Sequence, residues 1–244
     1  TSNFLGKAIQ RQNIDNITFE KSIPNTVYNH ETKQITDPTR AWDVSAQGDK
    51  SIIAWYVDSE IRNGIYKVHI ANNNQIPGQT TITSNDIYAN QDSSNLFEYI
   101  GYSNKSTSTE AITNIGLLNV SSVTNMSNMF AKTGYTAMAS LDLGDKFNTA
   151  NVTDMSNMFD ATGYTNMASL DLGDNFDTSN VTDMESMFVE TGYTKMTSLS
   201  LVDKFDTSNV TKMVNMFLKT GYTAMTNLDL GDKFNTSKVT DMGS

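Results

Sequence analysis

The sequence predicts an α/β solenoid, a stack of strand–turn–short-helix coils preceded by a small antiparallel β region that acts as its N-terminal cap. Three observations carry this reading. A motif recurs every 29 residues from Val123 onward, the apolar spacing inside each copy changes from strand to helix period, and composition divides the 244-residue chain. Fixed periods of roughly 20–50 residues mark units that stack because none can bury its apolar face alone.

The period comes first. MSNMFDATGYTNMASLDLGDNFDTSNVTD, from Met155 to Asp183, repeats almost residue for residue what stands 29 positions earlier. Val123, Val152, Val181, Val210 and Val239 form one column, and Met126, Met155, Met184, Met213 and Met242 another. Phe130, Phe159, Phe188 and Phe217 form a third; Leu141, Leu170, Leu199 and Leu228 a fourth. SNLFEYIGY holds a degenerate earlier copy, in which Phe97 and Gly101-Tyr102 precede Phe130 and Gly134-Tyr135 by 33 residues, a four-residue insertion.

Within a copy, Leu141 and Leu143 flank Asp142, the alternation of a short strand. Met155, Met158 and Phe159 stand at i, i+3 and i+4, which places them on one face of a helix. Thr153 is positioned to cap that helix, and Thr182 with Glu185 spells a capping box. Gly163 as left-handed stop residue would pair Tyr164 with Phe159 in a Schellman motif. Stacked strands then set a rise of about 5 Å per coil.

Composition places the boundary. All three prolines, both histidines and both tryptophans lie before residue 85, and all thirteen methionines lie from Met126 onward. The chain divides into a β-rich capping region, 1–87, and a repeat region, 88–244, with the join near 77–90. In the first region, two β-rich runs in WDVSAQGDKSIIAWYVD flank a turn at Gly48-Asp49. A second turn at Asn63-Gly64 leads into IYKVHI, where Tyr66, Val68 and Ile70 alternate with Ile65, Lys67 and His69; NITFEKSI supplies a further strand.

Charge narrows the partners. The formal charge is −10, and residues 86–244 carry all of it, with nine basic against nineteen acidic side chains. Such a chain repels phosphate backbones, so nucleic acid and anionic membrane are poor partners. No apolar run approaches the twenty or so residues of a bilayer span, so no membrane insertion is expected of this segment. Cysteine is absent, which removes disulfides, thiolate zinc sites and a cysteine nucleophile. No leader opens the sequence and no anchor closes it, but both ends look trimmed. The copy beginning at Val239 breaks off at Gly243-Ser244, where others read Ser156-Asn157 or Glu185-Ser186, so Ser244 is expected to be a boundary beyond which more coils follow.

SNVTDMxxMF joined to SLDLxxxF resembles the bacterial surface repeat of about 26 residues in the BspA-like branch of leucine-rich-repeat proteins. The resemblance covers residues 88–242, with WDVSAQGDKSIIAW similar to the segment preceding such repeats. Two features depart from that pattern: the period of 29, through a GYT insertion, and Phe147 where tryptophan is usual. The resemblance implies a leucine-rich-repeat-like fold and a bacterial cell-surface or secreted adhesin that binds host matrix or cell-surface proteins. It implies no catalytic residues, and the chain shows no triad order, phosphate loop or zinc spacing, so no enzyme activity is expected.

Four candidate surfaces follow. The outward strand positions Ser140, Asp142, Ser169 and Asp171, with Ser198, Ser200, Asn227 and Asp229, form a solvent-facing strip for a protein or glycan partner. They barely vary between copies, which suits a repetitive or basic partner, or a spacer. Trp42, Trp55, Tyr56 and Tyr66 form either a carbohydrate platform or the core of the small sheet. Asp171, Asp174 and Asp177 offer oxygen ligands for calcium, though the neighbouring copy lacks the matching set, so no cofactor is the default. Other turn acids would be solvated or paired with Lys146, Lys204 and Lys233. The tyrosine column Tyr135, Tyr164, Tyr193 and Tyr222 reads either as an aromatic ladder or as the helix stop. Asn-Val-Thr at Asn151, Asn180 and Asn209 matches a glycosylation pattern that a turn role also explains.

Two functions therefore compete. One is adhesion through the strand face. The alternative is a repeat stalk projecting another domain, with the N-terminal β region as a carbohydrate- or protein-binding head.

Overall fold

The computed structural model describes residues 9–45, 48–73, 87–201 and 203–243. The expected join at 77–90 falls largely outside them, as does Ser244. Thirteen short strands are found among the described residues: β1 (Ile14–Glu20), β2 (Tyr28–Asn29), β3 (Gln34–Ile35), β4 (Ala41–Asp43), β5 (Ile52–Trp55), β6 (Tyr66–Asn72), β7 (Ile87–Tyr88), β8 (Ile112–Thr113), β9 (Leu118–Asn119), β10 (Ser140–Asp142), β11 (Ser169–Asp171), β12 (Ser198–Ser200) and β13 (Asn227–Asp229).

The N-terminal sheet has the order β4-β5-β6-β1-β8. Its β4–β5 and β5–β6 pairs are antiparallel, as expected for a meander through Gly48. The expectation of a wholly antiparallel sheet is corrected at β1, which lies parallel to both β6 and β8. The cause is topological. β1 sits between a strand of its own region and one from the first repeat, so it is covered on both sides, and Ile14 to Ile17 are all buried. Asn16 tolerates that burial because its amide donates to the Glu110 carbonyl (2.6 Å) and to Thr113 Oγ1 (2.9 Å). At Asn63-Gly64 both residues have positive φ (54° and 78°), and Arg62 and Ile65 exchange both backbone hydrogen bonds, as a two-residue hairpin requires.

Near that hairpin, Arg40 reaches both Asp37 and Asp58. Asp37 accepts from the Thr39 hydroxyl, the Thr39 N–H and Arg40, and these hold its carboxyl down at about 2. A depressed carboxylate stabilises the folded state above its unfolded pKa and loses that contribution as pH falls through the folded value. The contribution of Asp37 should therefore disappear between about pH 4 and pH 2. Thr39→Val should move the Asp37 midpoint upward in a carboxyl-detected NMR titration; an unmoved midpoint would contradict the assignment.

From β10 onward, successive copies lie side by side in parallel register. Ser140, Leu141 and Asp142 face Ser169, Leu170 and Asp171, and Ser198, Leu199 and Ser200 face Asn227, Leu228 and Asp229. A second line of parallel bridges runs Asp92–Asn125–Asp154–Asp183–Lys212–Asp241, with a step of 33 residues first and 29 thereafter. The Phe130, Phe159, Phe188 and Phe217 rings stack at 5.4–5.5 Å with interplanar angles of 1–7°, close to the predicted rise. These rings, with the methionine, valine and leucine columns, form one apolar cluster that continues into Ile14, Ile17, Phe19 and Val68 of the N-terminal sheet. Phe19 meets Phe97 edge-on at 6.1 Å, and the Gly101 N–H donates to the Ile14 carbonyl.

The expected helix is absent: residues 156–166 form consecutive turns. The N–H groups of Met155, Asn157, Phe159 and Ala161 donate to Asp183, Glu185, Met187 and Val189 of the next copy, at 2.8–3.0 Å. Those of Met158, Asp160 and Thr162 bend back three residues, at 3.0–3.2 Å. Positive φ at Asn157 (54°) and Ala161 (50°) produces this alternation and breaks any helical run. The apolar spacing is still honoured, since Met155, Met158 and Phe159 are all fully buried.

The caps change with it. Thr153 donates its hydroxyl to Thr124 of the preceding copy, and Thr182 to Thr153, so neither caps a helix. The Glu185 N–H is taken by Asp183, so no capping box forms. Gly163 has the expected left-handed φ, but its N–H donates to Thr133 of the preceding copy. Phe159 lies inside and Tyr164 outside, so the Schellman pairing is also replaced.

Two threonine columns tie copies from within. Thr133, Thr162, Thr191 and Thr220 donate their buried hydroxyls to Phe97, Phe130, Phe159 and Phe188 of the copy before, each at 2.7 Å. Thr149, Thr178 and Thr207 donate to Asp177, Asp206 and Asn235 of the copy after, at 2.8–2.9 Å. The Phe130 carbonyl also keeps a bond from the Thr133 N–H, so Thr162→Val should cost only about 1 kcal/mol. Exposed Thr153→Val should stay within about 0.5 kcal/mol, and equal midpoints for both in urea unfolding would overturn the distinction.

Candidate functional site

The strand strip is present and its central positions are solvent-facing. Ser140, Asp142, Ser169, Asp171, Ser198 and Ser200 are exposed around buried Leu141, Leu170 and Leu199, and Asn227 and Asp229 continue the strip. Its carboxylates already have work. Asp142, Asp171 and Asp229 accept from the N–H of Gly144, Gly173 and Gly231 at 2.8–3.0 Å, which shapes the turn after each strand. At the N-terminal end of the strip, Ser140 and Asp142 border a cleft of about 310 Å³ with Glu110, Thr113 and Asn114.

The proposed calcium ligands do not converge. Asp171 serves Gly173, Asp177 accepts from the Ser179 N–H at 2.9 Å, and no group of three His, Cys, Asp or Glu suited to a metal is found among the described residues. Lys204 donates to Asn175 in the next-lower copy at 2.6 Å rather than pairing with a turn acid. The Asn-Val-Thr asparagines also have a structural duty. Asn151, Asn180 and Asn209 donate their side-chain amides to Ser121, Ala150 and Ser179 of the preceding copy, at 2.7–2.8 Å.

Of the four aromatics expected to form a platform, Trp55, on β5 between β4 and β6, is buried, with 4 % exposure, in a small core with Ile23, Tyr28 and Ile53. It stacks on His69 at 5.4 Å, and His69 lies between Glu20 (3.0 Å) and Glu60 (2.8 Å). Trp42, Tyr56 and Tyr66 pack as half-buried residues against the main cluster, with the two tyrosines edge-to-face at 5.1 Å. Burial of Trp55 corrects the four-residue platform. The sheet's own core claims that ring.

The tyrosine column is a true ladder. Tyr135, Tyr164, Tyr193 and Tyr222 stack at 4.6–5.1 Å with interplanar angles of 10–23°. Burial, then the neighbouring phenols, raise the Tyr135 hydroxyl above its ordinary value. Stacked rings cover one another's faces, so this part of the ladder offers edges and hydroxyls but no face for a sugar. Beside it the copies differ. Lys132, Ala161, Glu190 and Lys219 occupy one column, and Lys132–Asp160 and Lys219–Glu190 form ion pairs between neighbouring copies at 3.3 Å.

Residue-by-residue reading of the sequence missed two clefts, because each is lined by segments far apart in the chain. One, of about 500 Å³, lies between the Asn63-Gly64 hairpin and the loop after Tyr102, and contains Arg62, Lys67 and Lys105. The other, of about 410 Å³, lies on the opposite flank of that loop against Tyr102 and Tyr135. The four-residue insertion was the signal that pointed there. Thr136 Oγ1 reaches Ser103 across 33 residues, whereas the Ala139 N–H reaches Thr109 across only 30, so three of the four inserted residues lie in this loop.

A parallel-stacked, tandem-repeat chain with an attached mixed sheet is the class this architecture defines. The family model described as "Mycoplasma protein of unknown function, DUF285" matches residues 92–198 and 162–244, which together span 92–244, and the chain belongs to that family. No curated protein and no solved structure matches it. Among the described residues, no helix is long and apolar enough to cross a membrane.

Proposed function

We propose that the chain is a non-catalytic recognition module of a bacterial cell surface. In this reading the copies form a solenoid of the BspA-like, leucine-rich-repeat type, used as a rigid support, and the N-terminal end is its binding head. The observation that carries this is the position of three clefts among the described residues, of about 310, 500 and 410 Å³. All open where the N-terminal sheet meets the first copies, between residues 12 and 144. The strand strip supports a spacer role instead. It is flat, nearly invariant from copy to copy, and its acids are held by turn hydrogen bonds.

The partner is a macromolecule of a host or neighbouring cell, presented outside the bacterium. The test compares adhesion of the purified chain, immobilised on beads, to cultured host cells and to matrix proteins. Head variants Arg62→Gln with Lys105→Gln should reduce capture at least about tenfold. Strand variants Asp171→Asn with Asp229→Asn, which border none of these clefts, should leave it unchanged. The reverse result would transfer recognition to the strand face, and no capture by any form would reduce the chain to a spacer.

A further inference from the structure

We infer that the inserted loop, residues 104–108, divides a bipartite site for an acidic disaccharide: one pyranose ring on the Tyr102 side and the carboxylate or sulfate of the adjoining sugar on the Arg62–Lys67–Lys105 side. This rests on the head-recognition reading above and assigns that head a ligand class.

The cationic half stands out against the charge of the chain. Net charge is −10, yet Arg62, Lys67 and Lys105 border one cleft. None of the three has an ion-pair partner among the described residues. Two acids border the same cleft, both held by hydrogen bonds, so three cations face two carboxylates there. Asp15, buried, accepts from the N–H groups of Thr107 and Ser108 at 3.1–3.2 Å and so fixes the loop. Glu60 is held by His69 at 2.8 Å. At physiological salt the Debye length is about 8 Å, so the distant acids of the repeats are screened while cations in contact with a ligand are not.

The other half has the chemistry of a sugar site. Tyr102 is tilted 52° from Tyr135 at 5.0 Å, unlike Tyr135 and Tyr164, which lie within 10° of parallel. Its far side meets Tyr99 edge-on, at 84°. A tilted ring at the end of a ladder leaves part of its face to the cleft, where the C–H groups of a pyranose can lie against it. Around it stand the carboxamides of Gln12, Asn13 and Asn104 and the hydroxyls of Ser103 and Thr136, donors and acceptors suited to sugar hydroxyls. Asn104 borders one cleft and Lys105 the other, so consecutive residues of one loop touch both halves. A lone inorganic anion would leave a 500 Å³ cleft mostly unfilled, and no aromatic residue lines that half to stack a nucleobase.

The test is NMR titration of the full chain in about 50 mM salt with four probes: the unsulfated chondroitin disaccharide, 6-sulfo-N-acetyllactosamine, N-acetyllactosamine and sodium sulfate. The two acidic disaccharides should bind about tenfold more tightly than the neutral one and than sulfate, and the stronger of the two identifies the acidic group. Arg62→Gln with Lys105→Gln, both exposed sites, should abolish the preference for acidic over neutral sugar. Tyr102→Leu should weaken all three disaccharides and leave sulfate unaffected. Sulfate binding as tightly as the disaccharides, equal affinity for the neutral sugar, or no shifts near the loop with any disaccharide would overturn the inference. Cell capture lost in the head variants without any disaccharide binding would refute only this ligand class. Disaccharide binding with capture insensitive to those variants would refute the adhesive reading instead.

Discussion

Phe159→Ala is expected to destabilise the chain by about 3–5 kcal/mol. The ring is fully buried, stacked on Phe130 and Phe188 at 5.4 Å, and also packed against Phe176. Its removal opens a cavity between two copies that a rigid backbone ladder cannot close, because hydrogen bonds on either side fix the spacing. Phe217 provides the internal control. It belongs to the same column but is half-buried, so Phe217→Ala should cost less than half as much. Denaturant unfolding of both variants decides the matter, and equal losses would mean that stacking on both faces is not what holds neighbouring copies together.

The second large effect is Gly163→Ala. Gly163 has a φ of 58°, and an added Cβ would come within 2.3 Å of the Met167 Cβ. A left-handed alanine costs roughly 1–2 kcal/mol, and forcing Met167 aside adds roughly 1–3 more. A total of about 2–5 kcal/mol should appear as a lowered unfolding midpoint. Gly116→Ala, where φ is ordinary and no atom lies within 4 Å of the added Cβ, should be nearly silent. A silent Gly163→Ala would show that the turn relaxes.

The parallel register of the copies was legible because the physics of stacking writes itself into the period. Each column must meet its own kind, so Val123, Met126, Phe130 and Leu141 recur at one interval. The turns at Gly48 and Asn63-Gly64 were legible for a different reason, since left-handed φ restricts which residues serve. The helix was misread because Met155, Met158 and Phe159 share one side of a helix and equally share the inside of a winding turn. Only positive φ at Asn157 and Ala161 separates the two, and neither residue announces it as glycine would. The parallel seat of β1 was hidden because its partner β8 lies 95 residues away, Ile17 against Ile112. The clefts escaped for the same reason: Asp15, Arg62 and Lys105 share no local pattern, and only the irregular 33-residue step marked the place.

The hydrogen bonds between copies run along the direction in which the copies succeed one another, each copy donating on one edge and accepting on another. A pull along that direction loads them one row at a time, like a zipper, rather than all together. Each copy released would add about 90–100 Å of contour, from 29 residues at roughly 3.3–3.6 Å each less the folded rise. A tethered array of this kind would yield in equal steps under tension, lengthening the link while the remaining copies stay folded.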